Sequence, residues 1–128
     1  MAINVLIVDD STTLRKVIEK TLRMASIPLG EVHHASHGRE ALDLLARQWV
    51  DLVFADINMP VMTGTQMIEQ MAKDGLTKSI PVVVISTEGS DTRIEQLKAL
   101  GVAAYLRKPF LPEQFSQTVH EVLGTRHA

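Results

Sequence analysis

The sequence predicts an α/β protein, a three-layer sandwich in which helices cover both faces of a five-stranded parallel sheet. Three observations predict it. Short apolar, β-branched runs alternate with segments whose apolar residues recur at helical spacing. The first, third and fourth of these runs are apolar nearly throughout, as strands buried on both faces are. The 128 residues are enough for one domain with a core of its own. Strict strand-helix alternation brings right-handed crossovers, which lay the strands parallel and the helices over them.

The first strand is expected over Ile3 to Val8 (INVLIV). The helix after it turns Leu14, Val17, Ile18, Thr21, Leu22 and Ala25 inward, with Ser11 or Thr12 placed to cap it. The second strand, Glu31 to Ala35 (EVHHA), is the most polar and is expected near an edge. Ala41, Leu42, Leu44 and Leu45 mark the second helix, and Trp49 is expected to pack at its end. The third strand runs from Leu52 to Ala55. Beyond it a third helix begins at Gly64 and buries Met67, Ile68 and Met71. The fourth strand is Val82 to Ile85. Its helix carries Ile94, Leu97 and Leu100, is capped by Ser90 or Asp91 and stops at Gly101. The fifth strand is expected over Val102 to Leu106. Pro112 suits the first position of the last helix, whose inward face is Phe115, Val119 and Val122.

Composition excludes several functions. There is no cysteine, so disulfides and thiolate metal or redox sites are absent. A net charge of −2 gives no reason to expect nucleic acid or a membrane surface as partner. No apolar run approaches the ~20 residues of a membrane helix, and MAINVLIVDD lacks the features of a signal peptide. A cytoplasmic protein is expected.

In a parallel sheet of this kind ligands gather at the carboxyl ends of the strands. Asp9 and Asp10 follow the first strand, Asp56 the third, Ser86, Thr87 and Glu88 the fourth, and Lys108 the fifth. Asp51 begins its strand, so at ~3.3 Å per residue it lies roughly 16 Å from Asp56, on the opposite rim. A lone acid after a strand is most often a turn former or helix cap; four strands delivering polar groups to one rim is a far more specific pattern. Crowded carboxylates need a counter-charge, and Mg²⁺ takes one or two of them while keeping waters. Asp10 and Asp56 suit direct ligation, with Asp9 acting through water and Lys108 as a mobile point charge. This set suits attack by Asp56 on a phosphoryl group, with Ser86 bonding a transferred oxygen. His33 and His34 alternate across a strand, and with His37 they have neither cysteine nor an adjacent carboxylate in sequence, which argues against a metal site there. Met59 and Met62, in the loop after Asp56, are expected to pack, with a place in a partner surface as the alternative.

The residues VDD (8–10), DINMPVMTG (56–64), ST (86–87) and KPF (108–110) together resemble the receiver domain of bacterial response regulators, in its single-domain, CheY-like form. The match covers essentially the whole chain, so a single receiver domain over residues 1–128, with no output domain, is expected. The resemblance implies the flavodoxin-like strand order 2-1-3-4-5. It implies Asp56 as phosphoacceptor, Asp9 and Asp10 as the acidic pocket, and a Mg²⁺ site of Asp9, Asp10, Asp56 and the Asn58 carbonyl. Ser86 and Lys108 would bind the phosphoryl group, and Ser86 and Tyr105 would form the switch. Asn58, Thr87 and Glu88 would tune dephosphorylation; Thr87 stands where a small residue is usual, and its bulk would hinder water. The implied donor is a sensor histidine kinase of the CheA type. The implied output is a change of the α4-β5-α5 surface towards a protein partner, a flagellar switch or a phosphatase, with the chain a monomer.

Thr63 stands where the family usually has Asp, a change expected to affect only the start of its helix. Ser90-Asp91-Thr92-Arg93 lacks the paired lysines of motor-binding relatives, so a phosphorelay or adaptor role with a non-motility target is the alternative. Two other functions fit less well. A haloacid dehalogenase-type phosphatase needs an acid where Asn58 stands. An FMN-binding, flavodoxin-like protein needs a phosphate loop where Asp9 and Asp10 stand.

Overall fold

Along each central strand successive side chains point to opposite faces, and both faces are apolar, so each needs its own cover. A computed structural model describes residues 2–25, 27–56, 62–75, 77–86, 91–108 and 110–124. The elements are β1 (Ile3–Val8), α1 (Thr12–Met24), β2 (Leu29–Ala35), α2 (Gly38–Leu45), β3 (Leu52–Ala55), α3 (Gly64–Lys73), β4 (Val82–Ser86), α4 (Asp91–Ala99), β5 (Ala104–Arg107) and α5 (Pro112–Gly124). The sheet is parallel throughout, in the order β2-β1-β3-β4-β5. Alternation divides the core in two. Leu6, Val8, Val53, Ala55, Val82 and Val84 face α2, α3 and α4 through Ala41, Leu45, Met67, Met71 and Leu97. Val5, Ile7, Leu52, Phe54, Val83 and Ile85 face α1 and α5 through Ile18, Leu22, Phe115 and Val119. Among the described residues no helix is long and apolar enough to cross a membrane.

The helix starts follow local chemistry. Ser11 caps α1 by accepting the N–H of Leu14 at 3.1 Å. Thr63 and Gln66 form a reciprocal capping box at α3, and Pro112 opens α5 as expected. His37 caps α2 through Nδ1, which accepts the N–H of Glu40 at 3.2 Å.

Several expectations are corrected. Val17 is 46% exposed. The buried face of α1 centres between Ile18 and Leu22, and Val17 lies about 120° round the helix from that line. Trp49 is 68% exposed; α2 ends at Leu45, and the indole N–H donates to Asp51 Oδ1 at 2.9 Å. β4 extends one residue further, to Ser86. β5 begins at Ala104, two residues late. Gly101, at φ 94°, and Val102 close α4 by donating to Lys98 O at 3.0 Å and Leu97 O at 3.1 Å. That pair is a Schellman cap, and it keeps Val102 out of the strand. Met62 packs against the first core cluster; Met59 lies outside the described residues.

β2 begins two residues before the expected Glu31 because of a register shift. Ile3 pairs Leu29, but Val5 pairs Val32, so β2 carries an extra residue there. The Asn4 side-chain carbonyl takes the N–H of Glu31 at 2.8 Å. A Cβ at Gly30 would stand 2.4 Å from that oxygen, which explains the glycine. Asp51 closes the same rim, accepting from Asn4 N at 2.9 Å while its own N–H donates to Asn4 O at 2.8 Å. Asp51→Ala is expected to lower the unfolding free energy by about 1–2 kcal/mol, read by urea denaturation, and to leave cation binding at the opposite rim unchanged.

Candidate functional site

The register builds the site. Val8 pairs Ala55 across β1 and β3, so Asp9 and Asp56 each stand one residue beyond the same rung. Adjacent strands are ~4.8 Å apart, which brings the two acids side by side. Backbone bonds fix both: Asp9 N donates to Ala35 O and Asp56 N to Val8 O, each at 3.0 Å. Asp10 follows in the β1–α1 turn. One carboxylate oxygen from each of the three acids lies within 4.8 Å of the others. Asp9 is 2% exposed, Asp56 is partly buried and Asp10 is exposed.

Ser86 pairs Arg107 across β4 and β5, so Lys108 leaves the fifth strand just beyond that rung. β5 is two strands from β3, and only a long side chain bridges such a gap. Lys108 Nζ lies 3.7 Å from Asp9 Oδ2 and 3.9 Å from Asp56 Oδ2. These are charge contacts, longer than hydrogen bonds.

Burial holds the Asp9 carboxyl above the usual carboxylate range. The Ser11 N–H, donating to Asp9 Oδ1 at 2.9 Å, opposes this. The negative charge of Asp56 adds to the rise, Lys108 opposes it, and Asp10 adds to it again. A cluster of hard oxygen donors under mutual repulsion fits a hard divalent cation. Asp9, Asp10 and Asp56 would hold it.

Other expected residues fall into place differently. The main chain of Ser86 ends β4 at the rim, but its side chain, with Asn58, Thr87 and Glu88, lies outside the described residues. The Tyr105 ring packs against the first core cluster, and its buried hydroxyl has no partner among the described residues. Two of the histidines do have carboxylates beside them, contrary to expectation: the fold brings Glu19 of α1 to His34, and Glu31 lies two residues from His33 on the same strand. His34 Nε2 lies 2.7 Å from Glu19 Oε1, and His33 Nε2 3.3 Å from Glu31 Oε2. The bond with His34 draws the Glu19 carboxyl below the usual range. Among the described residues only the three aspartates form a metal-sized group.

Sequence reasoning missed Arg15, whose guanidinium donates to the main-chain oxygen of Asp9. Nothing in the pattern marks it, since a basic residue in the first turns of a helix reads as a solvated charge.

Comparisons with known proteins bear on the family and the fold. A family model described as the response regulator receiver domain matches residues 5–120. Chemotaxis protein CheY1 of Helicobacter pylori is 36% identical over 121 residues, 94% of this chain and 96% of that one. A CheY homolog of Campylobacter jejuni is 34% identical over 121 residues, covering 94% and 92% of the two chains. The solved structure of chemotaxis response regulator CheY4 of Vibrio cholerae superposes with a TM-score of 0.84 at 35% identity, over 95% of this chain and 99% of that one.

Because the fold holds the proton of Asp9 more tightly than the unfolded chain does, the contribution of this group to stability falls as pH rises from the ordinary carboxylate range through the raised value. Asp9→Asn is expected to flatten that slope and to raise the melting midpoint at neutral pH in Mg²⁺-free buffer, as read by circular dichroism.

Proposed function

This chain belongs to the response regulator receiver domain family, and on that premise we propose that it is a two-component signalling protein phosphorylated on Asp56 by a sensor histidine kinase. The observation that carries the reading is the Lys108 ammonium set between the Asp9 and Asp56 carboxylates, with Asp10 beside them. A carboxylate held at a rigid strand end, against a cation and two further acids, is a nucleophile with charge control already in place.

In the proposed transfer an Asp56 carboxylate oxygen attacks phosphorus in line. The bond from phosphorus to the donor nitrogen breaks, and the imidazole leaves with the electron pair. Lys108 turns its N–H groups to a transferring oxygen, and the Ser86 hydroxyl bonds another once the phosphoryl group is in place. Mg²⁺, held by Asp9, Asp10, Asp56 and the Asn58 carbonyl, would supply the remaining charge neutralisation. The product is a signal, and the chain turns over no substrate of its own.

The output proposed is a population shift of the α4-β5-α5 surface. Tyr105 on β5 suits the role of its moving part, because its ring packs against the core while its hydroxyl is left without a partner among the described residues. The relatives named as chemotaxis proteins, at 34–36% identity over nearly the whole chain, support a chemotaxis output, with a CheA-like donor and a flagellar switch or a phosphatase as partner. The composition of the first turn of α4, Asp91-Thr92-Arg93, favours a second reading, an adaptor or phosphorelay receiver with a different target.

Incubation with Mg²⁺ and acetyl phosphate is expected to add one phosphoryl group, seen by intact mass, and Asp56→Asn to remove that capacity; unchanged labelling of the variant would overturn the assignment. Lys108→Ala is expected to keep Mg²⁺ binding and lose the phosphorylation-driven change in partner affinity. Thr87→Ala is expected to shorten the lifetime of the phosphorylated form, followed by loss of the added mass.

A further inference from the structure

Asp9 is restrained at every polar group. Its N–H donates to Ala35, its carboxylate accepts from Ser11 and faces Lys108, and its main-chain oxygen accepts from Arg15. Asp10 is different. It is exposed, and its carboxylate makes no hydrogen bond or ion pair among the described residues. Its place is therefore set by the backbone on either side. One side chain grips that backbone at both ends. From the first turns of α1, Arg15 Nη1 donates to the oxygen of Asp9, and Nη2 donates to Thr12 Oγ1 at 3.2 Å. The Arg15 N–H also bonds Ser11 O at 3.0 Å. One guanidinium thus spans the turn from the residue before Asp10 to the second residue after it.

The grip is not what stability alone would select. Arg15 Nε is buried and has no partner among the described residues, and a buried donor left unpaired is costly. The ammonium that faces the pocket carboxylates is that of Lys108, while the guanidinium of Arg15 is directed at the main-chain oxygen of Asp9 and at Thr12. What Arg15 supplies is the geometry of a planar fork, which a lysine cannot reproduce.

We propose that Arg15 is a positioning residue for the cation site, holding the β1–α1 turn so that Asp10 presents its carboxylate beside Asp9 and Asp56. This rests on the reading of that cluster as a Mg²⁺-dependent phosphoacceptor site. A group that orients ligands in this way is typically worth about 10- to 100-fold in metal affinity.

The test is isothermal titration of Mg²⁺ into the full chain, well below each protein's melting midpoint, so that a loss of stability alone does not move the result. Arg15→Met and Arg15→Lys are each expected to bind about tenfold more weakly than the parent. Thr12→Val, an exposed change that removes one arm of the grip, is expected to fall between them and the parent. At saturating Mg²⁺ the Arg15 variants should take up phosphoryl from acetyl phosphate as the parent does. An Arg15→Met protein with the parent's affinity would overturn the proposal. Parental affinity in Arg15→Lys would overturn it too, by assigning the effect to charge. A parent that binds Mg²⁺ and takes up phosphoryl while the variants match it sinks this inference alone. A parent that does neither sinks the underlying reading with it.

Discussion

Three carboxylates within 4.8 Å of one another repel, and the molecule is arranged around that repulsion. The sheet forces the crowding, because the rung Val8–Ala55 delivers Asp9 and Asp56 together. Apolar strands buried on both faces give neither acid room to retreat. Lys108 relieves part of the strain from two strands away, at distances too long for hydrogen bonds. On the proposed reading, a cation joining Lys108 at these carboxylates would add to the neutralisation and, through its own charge, favour a phosphoryl group at Asp56.

The opposite rim carries the complementary arrangement. There Asn4, Asp51 and Trp49 satisfy one another with bonds of 2.8–2.9 Å, and among the described residues no metal-sized charge cluster forms. Asp51 and Asp56 bound the same short strand but have contrasting surroundings. One is a satisfied acceptor that fastens β1 to β3. The other is held among like charges. The length of a strand separates the rim that fastens β1 to β3 from the rim proposed to react.

Much of this was legible in the sequence. The apolar runs fix where strands end, so Asp9, Asp56 and Lys108 could be placed at one rim without knowing the register. The strand order came from family resemblance, since strands alike on both faces carry no mark of their neighbours. The misses share a cause. Val17 and Trp49 look apolar enough for a core, but which face of α1 is covered, and where α2 ends, are decided by tertiary packing. β5 starts late because the N–H of Val102 is taken by a helix cap. Arg15 and the carboxylate partner of His34 were hidden because their contacts cross between elements, whereas Glu31 stands two residues from His33 on the same strand and was open to view.

The Schellman cap at Gly101 has a mechanical consequence. Among the described side chains of α4, Leu97 alone is fully buried. It sits on the same last turn whose carbonyls are tied by Gly101 and Val102. The helix is thus fastened at its β5 end, and its fully buried described side chain lies on that same turn. A tilt of α4 about that anchored turn would carry its Asp91 end furthest and leave the strand after Gly101 in place.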